Sequence, residues 1–345
     1  MQLYNKLSAE EHAKIIDEKS QKRVTLSFYK YFKIADPAFF RDRLFMLWSE
    51  LEVLGRIYVA NEGINAQLSV PKDKFEKFSS SIKQISIFKD IRLNIAREHY
   101  SKSFLKLTIK VRKKIVADGL NDDSFDVTQI GKHLNAEKFN EMLIDENTVC
   151  IDMRNHYESE IGYFKGAVKP NVDTFRESLL VIDNELKKNG KNKNYLMYCT
   201  GGIRCEKASA YLKYKGIKNV FQLNGGIIEY ARQVESKNLK NNFIGKNFVF
   251  DQRLGERITE DIVSNCHQCG EPCDDHINCL NESCHLLFIQ CNKCKDKMNG
   301  CCSIKCMDIL KLPYSEQKLL IKGRRNSNKV FKKGRSSNLK FKLNE

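Results

Sequence analysis

Between residues 148 and 233, short apolar runs and amphipathic stretches take turns along the chain. Residues 148–153, 195–198 and 220–223 read as strands, and 174–186, 203–214 and 226–233 as helices. Alternation at this spacing specifies a parallel sheet covered by helices on both faces, because parallel neighbours need a crossover long enough to hold a helix. Ligands of such α/β sheets bind beyond the carboxyl ends of the strands. Cys199 falls at one of those ends, so one pattern predicts both a fold class and a place for the chemistry.

The preceding residues follow a different pattern. Residues 24–32 read as a strand, 38–54 as an amphipathic helix, and 56–70 as two strands turning near Asn61, Glu62 and Gly63. A helix over 73–85 and an alternating strand over 105–111 complete a βαββαβ order, that of a ferredoxin-like α+β sandwich. No catalytic constellation stands out here. The domain reads as a scaffold or as an RNA-docking platform, the scaffold being the simpler. Arg56, Tyr58, Arg97 and Tyr100 are its cationic and aromatic candidates for holding RNA, although ordinary surface positions account for them equally well. Residues 118–126 are polar, include a glycine and read as a linker.

At Cys199 an apolar strand runs into Thr200, Gly201, Gly202, Ile203 and Arg204, and then into a helix. Such a loop directs backbone N–H groups and the positive end of a helix dipole at the sulfur. The two glycines let the backbone curl close to a bound group, and Arg204 adds a permanent cation. A thiol so placed ionises below its usual pKa of ~8.5, and the thiolate is the nucleophilic form. Cys205 is either a resolving thiol or a small helix-packing residue, the latter being simpler. Cys150, inside an apolar strand, reads as core.

Of thirteen cysteines, ten lie between Cys266 and Cys306. Cys266 and Cys269, like Cys291 and Cys294, have the short spacing of zinc knuckles. Cys279 with Cys284, and Cys302 with Cys306, are looser pairs. Eight thiolates fill two tetrahedral sites. Cys273, Cys301, His267, His276 and His285 are left over or stand in as ligands. Structural zinc is favoured over disulfides in a chain that reads as cytosolic. The longest purely apolar runs, such as 179–182, are far below the ~20 residues of a membrane helix, and the charged start has no signal-peptide core. The expectation is a soluble, cytoplasmic protein that makes no membrane contact. Its net charge of +16 suits a polyanionic partner. Lys322, Arg324, Arg325, Lys329, Lys332, Lys333, Arg335, Lys340 and Lys342 crowd the tail, which reads as disordered.

The loop from Cys199 to Arg204 resembles the active-site loop of rhodanese domains. Upstream, "DMRNHYESEIGYFKGA" resembles the rhodanese segment, with Asp152, Arg154, Glu158, Gly162, Gly166 and Ala167 in place. Downstream, "LNGGIIEY" resembles the last turn and helix, with Tyr230 where tryptophan is commoner and Tyr163 where histidine is commoner. Adding "YVANEGINAQLSV", "FVFDQRLGERI", "CHQCGEPCDDHINC" and "CHLLFIQC" sharpens the resemblance to the rhodanese-like tRNA uridine-34 hydroxylases, over nearly the whole chain except the basic tail.

That resemblance implies oxygen-dependent conversion of the wobble uridine to 5-hydroxyuridine, with Cys199 as active-site cysteine. It also implies molecular oxygen as co-substrate and the tRNA anticodon loop as partner. Arg204 and the N–H groups of the loop are the expected oxyanion stabilisers. The sequence carries no nicotinamide, flavin or 2-His-1-carboxylate signature and so names no electron donor. The loop alone is equally compatible with a sulfurtransferase carrying a persulfide on Cys199. A noncatalytic zinc-dependent RNA-binding module would leave the cysteine loop without purpose. The expected division is a ferredoxin-like domain over 1–118, a rhodanese-like catalytic domain over 119–240, a Cys-rich segment over 241–310 and a basic tail over 311–345.

Overall fold

A computed structural model describes residues 3, 5, 7–120, 125–322 and 339. These residues form two compact units. The first runs to Asn155 and adds Gly166–Asn241 and Val249–Glu256; the second takes His156–Lys165, Asn242–Phe248 and the chain from Arg257 onward.

The first unit opens with α1 (Ala9–Glu18), held at its start by a capping box between Ser8 and Glu11. After β1 (Arg23–Tyr31), Asp36 accepts from the N–H groups of Ala38 and Phe39 and Pro37 supplies a preset φ, so α2 (Pro37–Glu50) begins there. Then come β2 (Leu54–Ala60), β3 (Gly63–Pro71), α3 (Phe75–Gln84), β4 (Asn94–Ile95) and β5 (Leu107–Val111). The sheet order is β4-β1-β3-β2-β5. One face packs Leu26, Phe28, Ile57, Val59, Ile64 and Leu68 against the buried Trp48 of α2 and Phe78 of α3.

Two sequence expectations shift here. The helix expected over 38–54 ends at Glu50, because the chain turns at Glu52 (φ 54°) and Leu54 already pairs in β2. The strand expected over 105–111 spans Leu107–Val111 and runs parallel to β2 at one edge, while the two-residue β4 pairs with β1 at the other. A strand of two residues is too short for an alternation to register over a sequence window.

A second sheet follows. In chain order come β6 (Lys132–Leu134), α4 (Ala136–Leu143), β7 (Thr148–Asp152), then α5 (His156–Ser159) and β8 (Gly162–Phe164), which belong to the second unit, and then α6 (Phe175–Asn189), β9 (Asn194–Tyr198), α7 (Ile203–Tyr214), β10 (Val220–Leu223) and α8 (Gly226–Ser236). Strands β6, β10, β9 and β7 lie side by side in that order, all parallel. Tyr195, Leu196, Met197 and Tyr198 of β9 are all fully buried, as a strand covered on both faces must be. Met197 and Tyr195 pack with Leu179, Ile182, Ala208 and Leu212 of α6 and α7. On the other face Tyr198 meets Phe139 of α4, whose ring also meets Tyr230 of α8.

The polar stretch expected as a linker begins with a buried anchor. Asp118 is 2% exposed and pairs with Lys207 of α7 at 2.6 Å, while Lys114 also holds it at 2.6 Å. Burial raises the Asp118 pKa, but the two ammonium groups outweigh it and hold the carboxyl below its ordinary value. Lys207 also reaches Glu62 at 3.0 Å, at the turn between β2 and β3. A buried lysine in α7 is therefore shared by the helix, the connection and the first sheet.

The second unit contains β8 paired antiparallel with Phe243–Asn247, a hairpin of His276–Asn278 with Leu287–Ile289, and helices Asn292–Lys297, Ile304–Leu310 and Tyr314–Lys322. The last helix lies inside the stretch 311–345 expected to lack structure; Glu316 to Leu320 place five good helix formers after the Pro313 break. The basic residues from Arg324 to Lys342 lie outside the described residues. Among the described residues no helix is long and apolar enough to cross a membrane.

Lys207→Met should lower the unfolding free energy by about 3 kcal/mol, because it strips a buried carboxylate of its closest cation. Adding Asp118→Leu should recover most of that loss. Urea unfolding of both variants checks this, and wild-type stability in the single variant would show the pair to be idle.

Candidate active site

Strand β9 delivers Cys199 at its carboxyl end, and Gly202 (φ 103°) turns the chain into α7 as its N-cap. A positive φ here is what glycine permits and other residues resist. The Gly202 N–H donates to Cys199 Sγ at 3.1 Å. Burial of the thiol pushes its pKa up, but the Cys205 thiol, the Arg204 guanidinium and the N–H groups of Cys205 and Arg204 outweigh that and lower it to about 6. Cys205 is itself pushed well above the ordinary range, by burial and by the sulfur beside it. It thus acts as donor to Cys199. Cys150 is buried in β7, and burial pushes its thiol up, as expected of a core residue.

Arg204 is 8% exposed, lies 5.7 Å from the Phe250 ring centroid, and its Nη2 donates to Thr200 Oγ1 at 3.4 Å. From the other side α8 holds the loop: the N–H groups of Ile227 and Ile228 donate to the carbonyls of Cys199 (3.0 Å) and Thr200 (3.3 Å). A Cβ at Gly226 would stand 2.5 Å from both carbonyl oxygens, so only glycine admits this approach.

Above the loop lies the outer face of the first sheet. Alternation along the strands sends Ser27, Tyr29, Arg56, Tyr58, Asn65 and Gln67 to the face opposite the core. Registers align them in two rows, Asn94–Ser27–Gln67–Arg56 and Tyr29–Asn65–Tyr58. These side chains, Cys199, Thr200, Gly201, Ile203 and Arg204 line one cleft of about 290 Å³. Cys199 is 0% exposed and belongs to the core beneath α7 as well as to the cleft floor. Tyr29 closes the loop from above: its hydroxyl donates to Glu206 Oε1 at 2.9 Å and would lie 2.6 Å from a Cβ at Gly202. Tyr31 donates to the Ile203 carbonyl at 3.4 Å, and His133 Nε2 meets Glu206 at 3.0 Å.

Of the four RNA-holding candidates, Arg56 and Tyr58 fall in the cleft. Arg97 and Tyr100 do not: Arg97 pairs with Glu235 at 3.2 Å. Sequence reading missed Ser27, Tyr29, Asn65, Gln67 and Asn94. Their signal is the strict alternation of polar with apolar residues in β1 and β3, and of Ile91, Leu93 and Ile95 around Asn94.

Asp152 and Arg154 form a fully buried pair at 2.7 Å, with the guanidinium 5.5 Å from the Tyr198 ring centroid, so they support the strand end rather than enter the cleft. The Tyr230 hydroxyl donates to Asn140 at 2.8 Å within the core.

In the second unit the eight paired cysteines converge as two tetrads. Cys266, Cys269, Cys291 and Cys294 form one; Cys279, Cys284, Cys302 and Cys306 form the other; within each, all sulfurs lie within 4.8 Å of one another. Sulfur separations of 3.6 Å (Cys269–Cys291) and 3.7 Å (Cys284–Cys302, Cys302–Cys306) match the ~3.8 Å edge of a tetrahedron with 2.3 Å metal–sulfur bonds. Backbone N–H groups of Cys291 and Cys302 donate to Cys266 and Cys279 sulfurs, which suits thiolates. The residues fit a tetrahedral metal. Cys273, Cys301, His267, His276 and His285 stand outside both tetrads; His267 bonds Glu160 at 2.7 Å instead.

Comparison with known proteins agrees with this layout. Residues 23–115 match the model of the UPF0176 acylphosphatase-like domain, 135–233 the rhodanese-like domain and 244–307 the rhodanese C-terminal domain. A tRNA uridine(34) hydroxylase of Leptospira interrogans is 53% identical over 96% of this chain and 90% of its own. The chain belongs to the tRNA uridine(34) hydroxylase family. Relatives of the same name from Pectobacterium carotovorum and Yersinia pestis are 52% and 50% identical, each over 96% of this chain and 94% of their own. The family resemblance read from separated motifs thus extends from the first sheet through the Cys-rich segment.

Thiolate absorbance in the ultraviolet, taken as wild type minus Cys199→Ser, should titrate with a midpoint of about 6. The thiolate is present above that pH and is lost as pH falls through it. Arg204→Met should move the midpoint upward. A wild-type midpoint near ~8.5 would show the loop to be electrostatically inert.

Proposed function

We propose that this protein hydroxylates carbon 5 of the wobble uridine of tRNA, with Cys199 as its nucleophile. The observation that carries the mechanism is a cysteine sulfur that accepts from a loop amide beside a guanidinium, on the floor of a cleft whose roof is a polar, aromatic sheet face. Addition of the thiolate to carbon 6 moves the electron pair of the 5,6 double bond toward carbon 5 and the carbonyl oxygen at carbon 4. Carbon 5 then takes an oxygen atom. Loss of its proton and departure of the thiolate restore the double bond. One atom of O2 ends on the base and the other in water, so two electrons enter from a reductant.

Arg204 and the loop amides are the donors for the charge that develops on the base, and one such donor contributes about 3 kcal/mol. Thr200, Gly201, Gly202 and Ile203 supply backbone around it. Arg56 and Tyr58 hold the anticodon loop, whose unpaired bases are presented for stacking and edge recognition. The ferredoxin-like part, residues 1–118, is then a docking platform for the catalytic part, 119–240. The substrate implies a cytoplasmic enzyme.

The two tetrads of the Cys-rich segment, 241–310, hold structural zinc in this reading, one ion each. With four thiolates at each site no position is left open for substrate, so the metal contributes folding energy. Elemental analysis of protein purified without chelator should find two zinc ions per chain, and Cys269→Ser should remove one. Zinc-free, fully folded protein would overturn this assignment.

Cys199→Ala and Cys199→Ser should each abolish 5-hydroxyuridine formation while leaving the melting temperature near wild type. Mass spectrometry of tRNA from cells carrying either variant reads the outcome. Full modification would remove the cysteine from the reaction, and loss of a thiolated nucleoside instead would identify a persulfide-carrying sulfurtransferase.

A further inference from the structure

Asn94 is a polar side chain of the cleft with a bond left to make. It is 4% exposed, and its Oδ1 is buried with no hydrogen-bond partner, while its Nδ2 donates to the Gly201 carbonyl at 3.4 Å. A carbonyl only accepts, so this contact fixes the amide with its NH2 on the loop and leaves the oxygen as the free acceptor. An unmatched buried acceptor is destabilising, and in a ligand cleft it marks the place of a donor on the ligand. Asn94 also heads the cross-strand row with Ser27, Gln67 and Arg56, and it lines the same cleft as Cys199, bonding to Gly201 of the cysteine's loop.

We infer that Asn94 Oδ1 reads the N3–H of the uracil ring and so selects uridine over cytidine at the position above Cys199. This rests on the reading of the cleft as a uridine site. Uracil carries a donor at N3 flanked by two carbonyl acceptors. Cytosine carries a lone pair at N3, which would face the lone pairs of Oδ1. At about 290 Å³ the cleft is near the lower end of ligand pockets, which suits one nucleobase. The anchoring of Nδ2 on Gly201 couples base recognition to the cysteine loop, because the same amide that reads the base packs on the loop that holds the sulfur. Asn65 is less suited, since its Nδ2 is turned to the Ile115 carbonyl at 3.5 Å, away from the cysteine loop.

The test uses the full chain and three synthetic anticodon stem-loops that differ only at position 34: uridine, cytidine and 3-methyluridine. Binding is read by fluorescence anisotropy without oxygen, so no turnover is required. Wild type should bind the uridine loop at least about 10-fold tighter than either of the others, the cost of one unmatched buried acceptor. In Asn94→Ala and Asn94→Ser that ratio should fall to within about 2-fold, because the group that discriminates is gone. The ratio is internal to each protein, so a general loss of fold, which weakens all three loops together, does not imitate the effect. Equal binding of uridine and 3-methyluridine loops by wild type would overturn the inference, as would an unchanged ratio in both variants. Hydroxylation of the uridine loop with oxygen and reductant is scored separately. Selective binding without product would sink the hydroxylase reading and keep Asn94 as the uracil reader; product with no selectivity would do the reverse.

Discussion

Helix α7 must be buried on every side and still carry charge. From Arg204 to Leu212 every residue is buried, because the parallel sheet and α6 cover it below and the first sheet covers its start above. Three of those residues, Arg204, Glu206 and Lys207, carry a formal charge, and each has partners. Lys207 is shared by Asp118 and Glu62, Glu206 receives Tyr29 and His133, and Arg204 lies against Phe250 and Thr200. Each of these arrangements fixes a different segment to the same helix. The helix therefore sets where the first sheet sits above the sulfur, and the cleft is a by-product of satisfying buried charge.

The two cysteine populations solve opposite problems. Cys199 is a single sulfur whose charge is stabilised by dipoles and one guanidinium, with space left beside it. Each tetrad gathers four sulfurs within 4.8 Å of one another, the arrangement that tetrahedral metal ligation needs. Leu286, Phe288 and Leu339 pack with the second tetrad, so this small segment combines metal-ligand geometry with a modest apolar core.

What could be read from the sequence was whatever is local in the chain. The strand, cysteine, glycine pair and helix of the loop are contiguous, so their geometry follows from a dozen residues. The cysteine pairs likewise follow from short spacing, although joining 266 and 269 to 291 and 294 depends on the hairpin between them. The roof of the cleft was not legible. Asn94 sits in a two-residue strand whose partner is Ser27, far away in the chain, and its neighbour in the site is Gly201. Tyr29 and Gln67 alternate with core residues as in any half-buried sheet, and only the docking of α7 turns that outer face from solvent toward a sulfur. The polar stretch after residue 118 misled for the same reason: an aspartate reads as solvated until its lysine partner, 89 positions on, is placed beside it.

The loop at Cys199 is suspended between two helix starts. Amides of α7 point at its sulfur, while amides of α8 grip its carbonyls across a gap that the hydrogen of Gly226 alone can fill. Peptide groups tethered at both ends cannot swivel when the sulfur gains or loses charge. In the proposed reaction, negative charge would leave the cysteine for the ring and return with almost no rearrangement of the surrounding dipoles, which is the condition for a low reorganisation energy in a covalent cycle.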